Sequence, residues 1–321
     1  MNALTVILII IAAAVLLIFL ICLLIFNQLV WHKTFSVPSF IAKAVAGNDG
    51  DNKFEKDVEK AVSHFESMPL EALTLTAENG EAIRAELLIP EKSNGTVIIA
   101  CHGARSSGIG EFCFMADYFY NNGFTVLMPE HRGCGKSGGK FMGYGTHESD
   151  DALLWLRYAE SRFPKMNFFL LGVSMGAATV LMMSSKIRTG EVCGIIADCS
   201  YTSAWEEFSY HLKNSFHLPD FPLLHICNLY SILFCGYSFR NAAPIEAVKD
   251  AKAPVLFIHG RADDYVPFFM QRQLYDACTA EKHLLSVDNA VHARSYYTDK
   301  NIYEKAINEF FEKYSHQGVQ K

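Results

Sequence analysis

From Leu4 to Phe26 the chain reads LTVILIIIAAAVLLIFLICLLIF, without one charged side chain. At about 1.5 Å per residue this run is about 35 Å long as a helix, enough to cross a hydrocarbon layer of about 30 Å with some tilt. A cleaved signal peptide would want a basic start and a shorter apolar core. Met1-Asn2-Ala3 supplies no base, so residues 1–33 are expected to form an uncleaved, single-pass anchor. Trp31 is a plausible interfacial aromatic, and His32 and Lys33 follow it. Basic residues after the helix favour a cytoplasmic domain. Residues 34–69 read as a connector. Within it KFEKDVEKAVSHFE (53–66) has apolar positions at 54, 58, 61, 62 and 65, the spacing of a helix with one charged face.

From Glu71 the pattern changes. EALTLTA and AIRAELLIP flank Asn79-Gly80 and predict a β-hairpin. Short apolar runs then alternate with helical spacing. TVIIACHG (96–103), FTVLMP (124–129), NFFLLGVS (167–174), CGIIADCS (193–200), PVLFIHG (254–260) and KHLLSVD (282–288) read as buried strands. Helices are expected at 149–162, 175–187, 268–279 and 299–314. Such alternation predicts an α/β domain over residues 70–321, with a mostly parallel sheet covered by helices on both faces. One connection is too long for the rhythm. The stretch at about 199–243 carries Trp205, Phe208, Phe216, Phe221 and Phe234, and reads as a small helical lid insertion.

Composition narrows the partners. The 321 residues are half hydrophobic with net charge −6 and no basic block, which argues against nucleic acid. Nine cysteines are scattered, odd in number and without a C-x-x-C pair. They read as reduced buried thiols rather than a disulfide framework or zinc site. No H-E-x-x-H, and no G-K-[ST] or G-x-G-x-x-G in a usable context, is present, so neither a metal nor a nucleotide cofactor is expected.

Ligands of parallel sheets collect at the carboxyl ends of the strands. Those ends carry His102-Gly103-Ala104, then Gly172-Val173-Ser174-Met175-Gly176, then Asp263-Asp264, then His292. A serine hydroxyl needs a base within hydrogen-bond reach, and His292 can take its proton. The imidazole needs a carboxylate to fix its tautomer, and Asp263 or Asp264 can do so. The oxyanion formed by attack on a carbonyl needs backbone N–H donors, for which Met175 and Ala104 are the candidates. Other polar residues read as structural. His102 shapes its loop, Arg132 and Asp151 form an ion pair, Cys134 and Cys199 are inert thiols, and His283 precedes a strand as an exposed side chain.

CHGARSSG (101–108), PEHRGCGKSGG (129–139), YGTHESDDALLWL (144–156), GVSMG (172–176), APVLFIHGRADDYVP (253–267) and AVHARSY (290–296) together resemble the α/β-hydrolase superfamily. Within it they resemble the branch holding serine aminopeptidase-like and monoglyceride-lipase-like hydrolases. The likeness spans about residues 70–315 and puts the catalytic acid of H-G-x-x-D-x-x-V-P on Asp263. Two positions depart from the family pattern, Glu130 in its D-x-R-G and Val291 before the histidine. The resemblance implies a serine hydrolase acting on a small-molecule ester or amide, and the aromatic insertion suggests an apolar acyl group. Peptidase or acyltransferase chemistry on the same fold are the alternatives, and a non-catalytic binding protein is a further one. Aminopeptidase activity would want an acid near the insertion to hold an amine, with Glu206, Glu207 and Asp220 as candidates.

Overall fold

A computed structural model describes residues 2–31 and 52–315. Eight strands form one sheet: β1 Leu70–Thr76, β2 Ala82–Leu88, β3 Thr96–Cys101, β4 Thr125–Glu130, β5 Asn167–Val173, β6 Gly194–Asp198, β7 Val255–Gly260 and β8 Lys282–Val287. Their order is β1-β2-β4-β3-β5-β6-β7-β8. The β1–β2 hairpin pairs antiparallel with register Thr76 to Ala82, and β2 is antiparallel to β4. All pairings from β4 onward are parallel.

The described residues form α-helices α1 Ala3–Val30, α2 Asn52–Glu66, α3 Gly108–Phe112, α4 Ala116–Asn121, α5 Thr146–Arg162, α6 Met175–Met183, α7 Ala204–Asn214, α8 Leu223–Tyr230, α9 Pro244–Ala247, α10 Phe269–Ala277, α11 Ser295–Thr298 and α12 Lys300–Tyr314. The apolar strands work because successive side chains point to opposite faces. Ile98 and Ala100 join one core with Phe65 of α2, Phe119 of α4 and Tyr303 and Ile307 of α12. Val97 and Ile99 join the other with Trp155 of α5 and Val180 and Leu181 of α6. Continuous apolar runs therefore sit in a sheet covered twice.

α2 is packed on the edge of the domain. Phe65 is fully buried, and the Phe54 ring lies edge-on to Tyr297 with centroids 4.9 Å apart. His32, Lys33 and residues 34–51 of the expected 34–69 connector fall outside the described residues.

α1 is long and apolar enough to cross a membrane. Its exposed first part gives way to a C-terminal end that packs into a third core. Cys22, Phe26 and Val30 are buried there with Met142, Phe208, Leu224 and Tyr237. Backbone bonds complete the join. Met142 N–H donates to Val30 O at 2.9 Å, and Trp31 pairs with Phe141 in a short antiparallel bridge.

Candidate active site

The chain turns sharply between β5 and α6, and Ser174 sits at the turn with φ 55° and ψ −118°. A left-handed φ is uncommon for a residue with a side chain, and it holds only where the surroundings over-determine it. Here the flanking glycines do so. A methyl on Gly172 would strike the carbonyl of Gly176, and one on Gly176 would strike the carbonyl of Cys101. The interruption of the apolar run is thus a close approach of three backbone segments. It leaves Ser174 at the strand end, with its N–H donating to Asp198 O at 2.9 Å.

Two other strand ends converge on it. Ser174 Oγ donates to His292 Nε2 at 2.8 Å, and His292 Nδ1 donates to Asp263 Oδ2 at 2.8 Å. These directions assign one proton to Nδ1, the tautomer that satisfies both neighbours. Asp263 is held from its other side as well. Its Oδ1 accepts from Tyr265 N–H at 3.0 Å and Val266 N–H at 2.9 Å, and His259 Nε2 lies 3.2 Å from Oδ2. Asp264 is exposed at the pocket rim.

The electrostatics follow from this packing. Burial pushes the Asp263 carboxyl up, but the His292 and His259 rings outweigh it and hold the group at about 2. Burial pushes His292 down, while Cys199 and the Asp263 carboxylate push it up, and the balance lies well above the ordinary imidazole value. Burial holds the Cys199 thiol up at about 12, so it is uncharged near neutrality. The charge that favours imidazolium there is therefore that of Asp263. Cys199, Asp263 and His292 carry metal-type ligand atoms within 4.8 Å of one another. Both ring nitrogens of His292 are already committed, which makes the group part of this chain of hydrogen bonds.

Ser174 and His292 open on a cavity of about 540 Å³. Ala104 and Met175, the residues expected to supply the oxyanion donors, line it beside Ser174. The loop carrying Ala104 is fixed by Glu111, whose Oε2 accepts from Gly103 N–H at 2.8 Å. Burial pushes the Glu111 carboxyl up, against the hydrogen bond it accepts from Gly103 N–H. Residues read as structural keep that character. His102 is fully buried, donates from Nδ1 to Gly103 O at 2.7 Å, and accepts from His131 N–H at 3.0 Å. Arg132 grips Asp151 with two bonds of 2.6 and 2.5 Å. His283, expected to be exposed, is half-buried against Tyr314 Oη at 2.8 Å, because β8 is covered by α12.

The insertion departs from expectation in which side chains it turns inward. Of the five aromatics named for it, Phe208 lines the cavity. Phe216, Phe221 and Phe234 are exposed, and the ring of Trp205 lies under the Arg240 guanidinium at 3.5 Å. Helix α7 instead contributes Glu207 and His211 to the cavity. His211 Nε2 donates to Glu207 Oε1 at 3.0 Å, while Oε2 is buried without a hydrogen-bond partner among the described residues. Burial pushes this carboxyl up. Glu206 is turned to Thr202, and Asp220 pairs with Lys213 at 2.7 Å. The cavity also has walls that the sequence did not announce: Gln28 and Leu29 of α1, Arg105, and Tyr265. The one signal for the first pair was the polar Asn27-Gln28 step closing an otherwise apolar run.

Comparison with known proteins yields two family profiles. One, described as serine aminopeptidase, S33, matches residues 92–216, and the other, described as serine hydrolase (FSH1), matches 165–290. The chain is 31% identical over 249 residues to the uncharacterized protein YqkD of Bacillus subtilis, covering 77% of this chain and 81% of the relative. It is 30% identical over 213 residues to the uncharacterized membrane protein YNL320W of Saccharomyces cerevisiae, covering 66% and 69%. Among solved structures, the Pyrococcus furiosus esterase Pf2001 superimposes with TM-score 0.63 at 21% identity, covering 81% of this chain and 94% of that one.

Proposed function

Because the chain belongs to the α/β-hydrolase superfamily, we propose that it is a membrane-anchored serine hydrolase that cleaves carboxylic esters through an acyl-enzyme on Ser174. The observation that carries this reading is the unbroken relay from Ser174 through His292 to Asp263, both links at 2.8 Å. Ser174 Oγ attacks the ester carbonyl as its proton passes to His292 Nε2. Asp263 stabilises the imidazolium and keeps Nδ1 protonated. The N–H groups of Ala104 and Met175 receive the oxyanion; the latter opens α6, where helical N–H groups have no partner within the helix. His292 then hands its proton to the departing alcohol, and the acyl group stays on Ser174. A water, deprotonated by the same histidine, releases the acid.

The anchor reading draws on α1. Its buried residues Cys22, Phe26 and Val30 are part of a core of the folded protein, which a cleaved leader would not supply. Nine free cysteines, eight of them buried, fit a domain held on the reducing side of the membrane.

A second reading is favoured by one observation. Glu207 offers a buried, unpartnered carboxyl oxygen at the cavity wall. An ammonium group would satisfy it and lower its pKa, which is what recognition of an aminoacyl substrate needs. The test of the main reading is labelling with a fluorophosphonate. The reagent should modify Ser174 in the intact protein and leave Ser174→Ala unlabelled. Labelling that persists in the variant would end the assignment. A panel of acetyl to octanoyl esters alongside aminoacyl amides then decides between the two substrate classes.

A further inference from the structure

The exposed apolar surface of the insertion is concentrated next to the anchor. From Phe221 to Phe239 the chain has no Asp, Glu, Lys or Arg. Within this stretch α8 runs into a π-helical turn, Ser231–Cys235, where Ile232, Leu233 and Phe234 are 47%, 65% and 54% exposed. Such a patch on a soluble surface would mark a site for a partner or membrane.

Its position along α1 decides which. Tyr230 Oη donates to Phe19 O at 2.9 Å, and Cys227 Sγ lies 3.5 Å from Cys22 O. The Phe26 ring meets Tyr230 and Phe234 with centroids 5.8 and 6.2 Å away. The part of α1 before this contact, Ala3–Leu17, is exposed throughout. At 1.5 Å per residue it measures about 22 Å, short of the roughly 30 Å of a hydrocarbon layer. A bilayer crossed by α1 must therefore extend past Phe19, to about Leu23 if Leu4 marks the far edge. The hydroxyl of Tyr230 then lies about 6 Å inside the near edge of the hydrocarbon, and the Phe234 ring, against Phe26, lies close to that edge. α8 and this turn together run from Leu223 to Cys235, about 13 residues, too short to span and of a length that lies in the interface.

We propose that the segment Tyr230–Phe234 is a second membrane-inserted element, seated beside the anchor at shallow depth, with Ile232, Leu233 and Phe234 in contact with acyl chains. The inference rests on the reading of α1 as a membrane span. It has a consequence for the site, because Gln28 and Leu29 on the same helix line the catalytic cavity. The cavity is held against the bilayer surface by two elements rather than tethered at a distance.

The experiment uses the full chain in vesicles of phosphatidylcholine and phosphatidylglycerol, with bromine placed on the acyl chains either near the headgroup or near the bilayer centre. Four variants each add one tryptophan: Ile10→Trp, Leu233→Trp, Phe234→Trp and Ile302→Trp. The added emission is read by difference from the parent chain. Leu233→Trp and Phe234→Trp should lose most of it to the shallow bromines, Ile10→Trp to the deep ones, and Ile302→Trp, on α12 against the sheet, to neither. Quenching of Ile10→Trp without quenching at 233 and 234 would overturn the proposal and leave the anchor standing. Absence of quenching at Ile10→Trp would overturn the anchor and the proposal with it. Because Phe234 touches Phe26, the more exposed Leu233→Trp serves as the variant whose fold is least disturbed.

Discussion

The serine turn and the aromatic insertion both border one cavity, yet they are built on different physics. At Gly172-Val173-Ser174-Met175-Gly176 the backbone itself is the constraint. Two glycines let β3, β5 and α6 approach, and the approach forces Ser174 to φ 55°. In the insertion no such constraint acts. α8 is placed by packing against α1, α7 shares their core, and the aromatics of the two divide between that core, a cation stack and the surface. Geometry fixed by backbone is readable from a short motif. Geometry fixed by packing of one helix on another is not, because a helix of given sequence can be rotated to bury either face.

The first break in this comparison is at the serine turn. Ser174→Ala should lower ester turnover by a factor on the order of 10⁴ or more, with a residue of catalysis from the oxyanion donors and binding. Asp263→Asn should cost about 10⁴-fold, because an amide can favour the wrong imidazole tautomer, whereas Asp264→Asn should change turnover by less than about tenfold. Steady-state kinetics on a short activated ester measure both. A larger loss at Asp264 would move the acid.

Gly176→Ala tests the backbone argument directly. The added methyl has the Cys101 carbonyl in its way, and overpacking of this kind costs about 1–3 kcal/mol or more. A fall in Tm together with lost turnover is expected. A methyl on Gly190, which has open space around it but a φ of 76°, should cost less and leave turnover near the parent value.

pH dependence sharpens the account at the relay. Attack needs neutral His292, and the Asp263 carboxylate raises that group above its ordinary value. Raising the pKa keeps the ring protonated to higher pH, so kcat/KM should climb with pH through a limb above 6.5 and then level off. Asp263 at about 2 stays ionised across that range and adds no limb of its own. A limb below 6.5 would mean that burial outweighs the carboxylate.

The smallest effect lies in the insertion. Glu207→Gln should leave acetyl ester turnover within a few-fold while raising KM for aminoacyl amides, should the chain act on them. Equal loss on both substrates would make Glu207 a packing residue.

How much of this was legible in the sequence follows the same division. The strands at 96–101, 125–130 and 255–260 were visible because buried parallel strands are short apolar runs bounded by turn residues. Ser174, Asp263 and His292 were visible because each follows such a run at a strand end, with the family resemblance choosing Asp263 over Asp264, and the structure brings their side chains into one chain of hydrogen bonds. Arg105, in a loop, and Glu111, on the five-residue α3, were hidden because position there depends on the path of the backbone rather than on periodicity. Gln28 and Leu29 were hidden for another reason: in a segment whose composition reads as membrane, the polar Asn27-Gln28 step is the one hint that its last turn walls a cavity. Phe216 and Phe221 misled because aromatic content measures how much surface a segment can bury and says nothing of where it faces.

Formation of the acyl-enzyme tests the central claim most directly. The full chain, given an activated ester that deacylates slowly and quenched in acid within the first turnover, should gain the mass of one acyl group. Peptide mapping should place that mass on Ser174, and Ser174→Ala should gain none. Turnover of the ester with no covalent acyl group at Ser174, or with the group on another residue, would contradict the account.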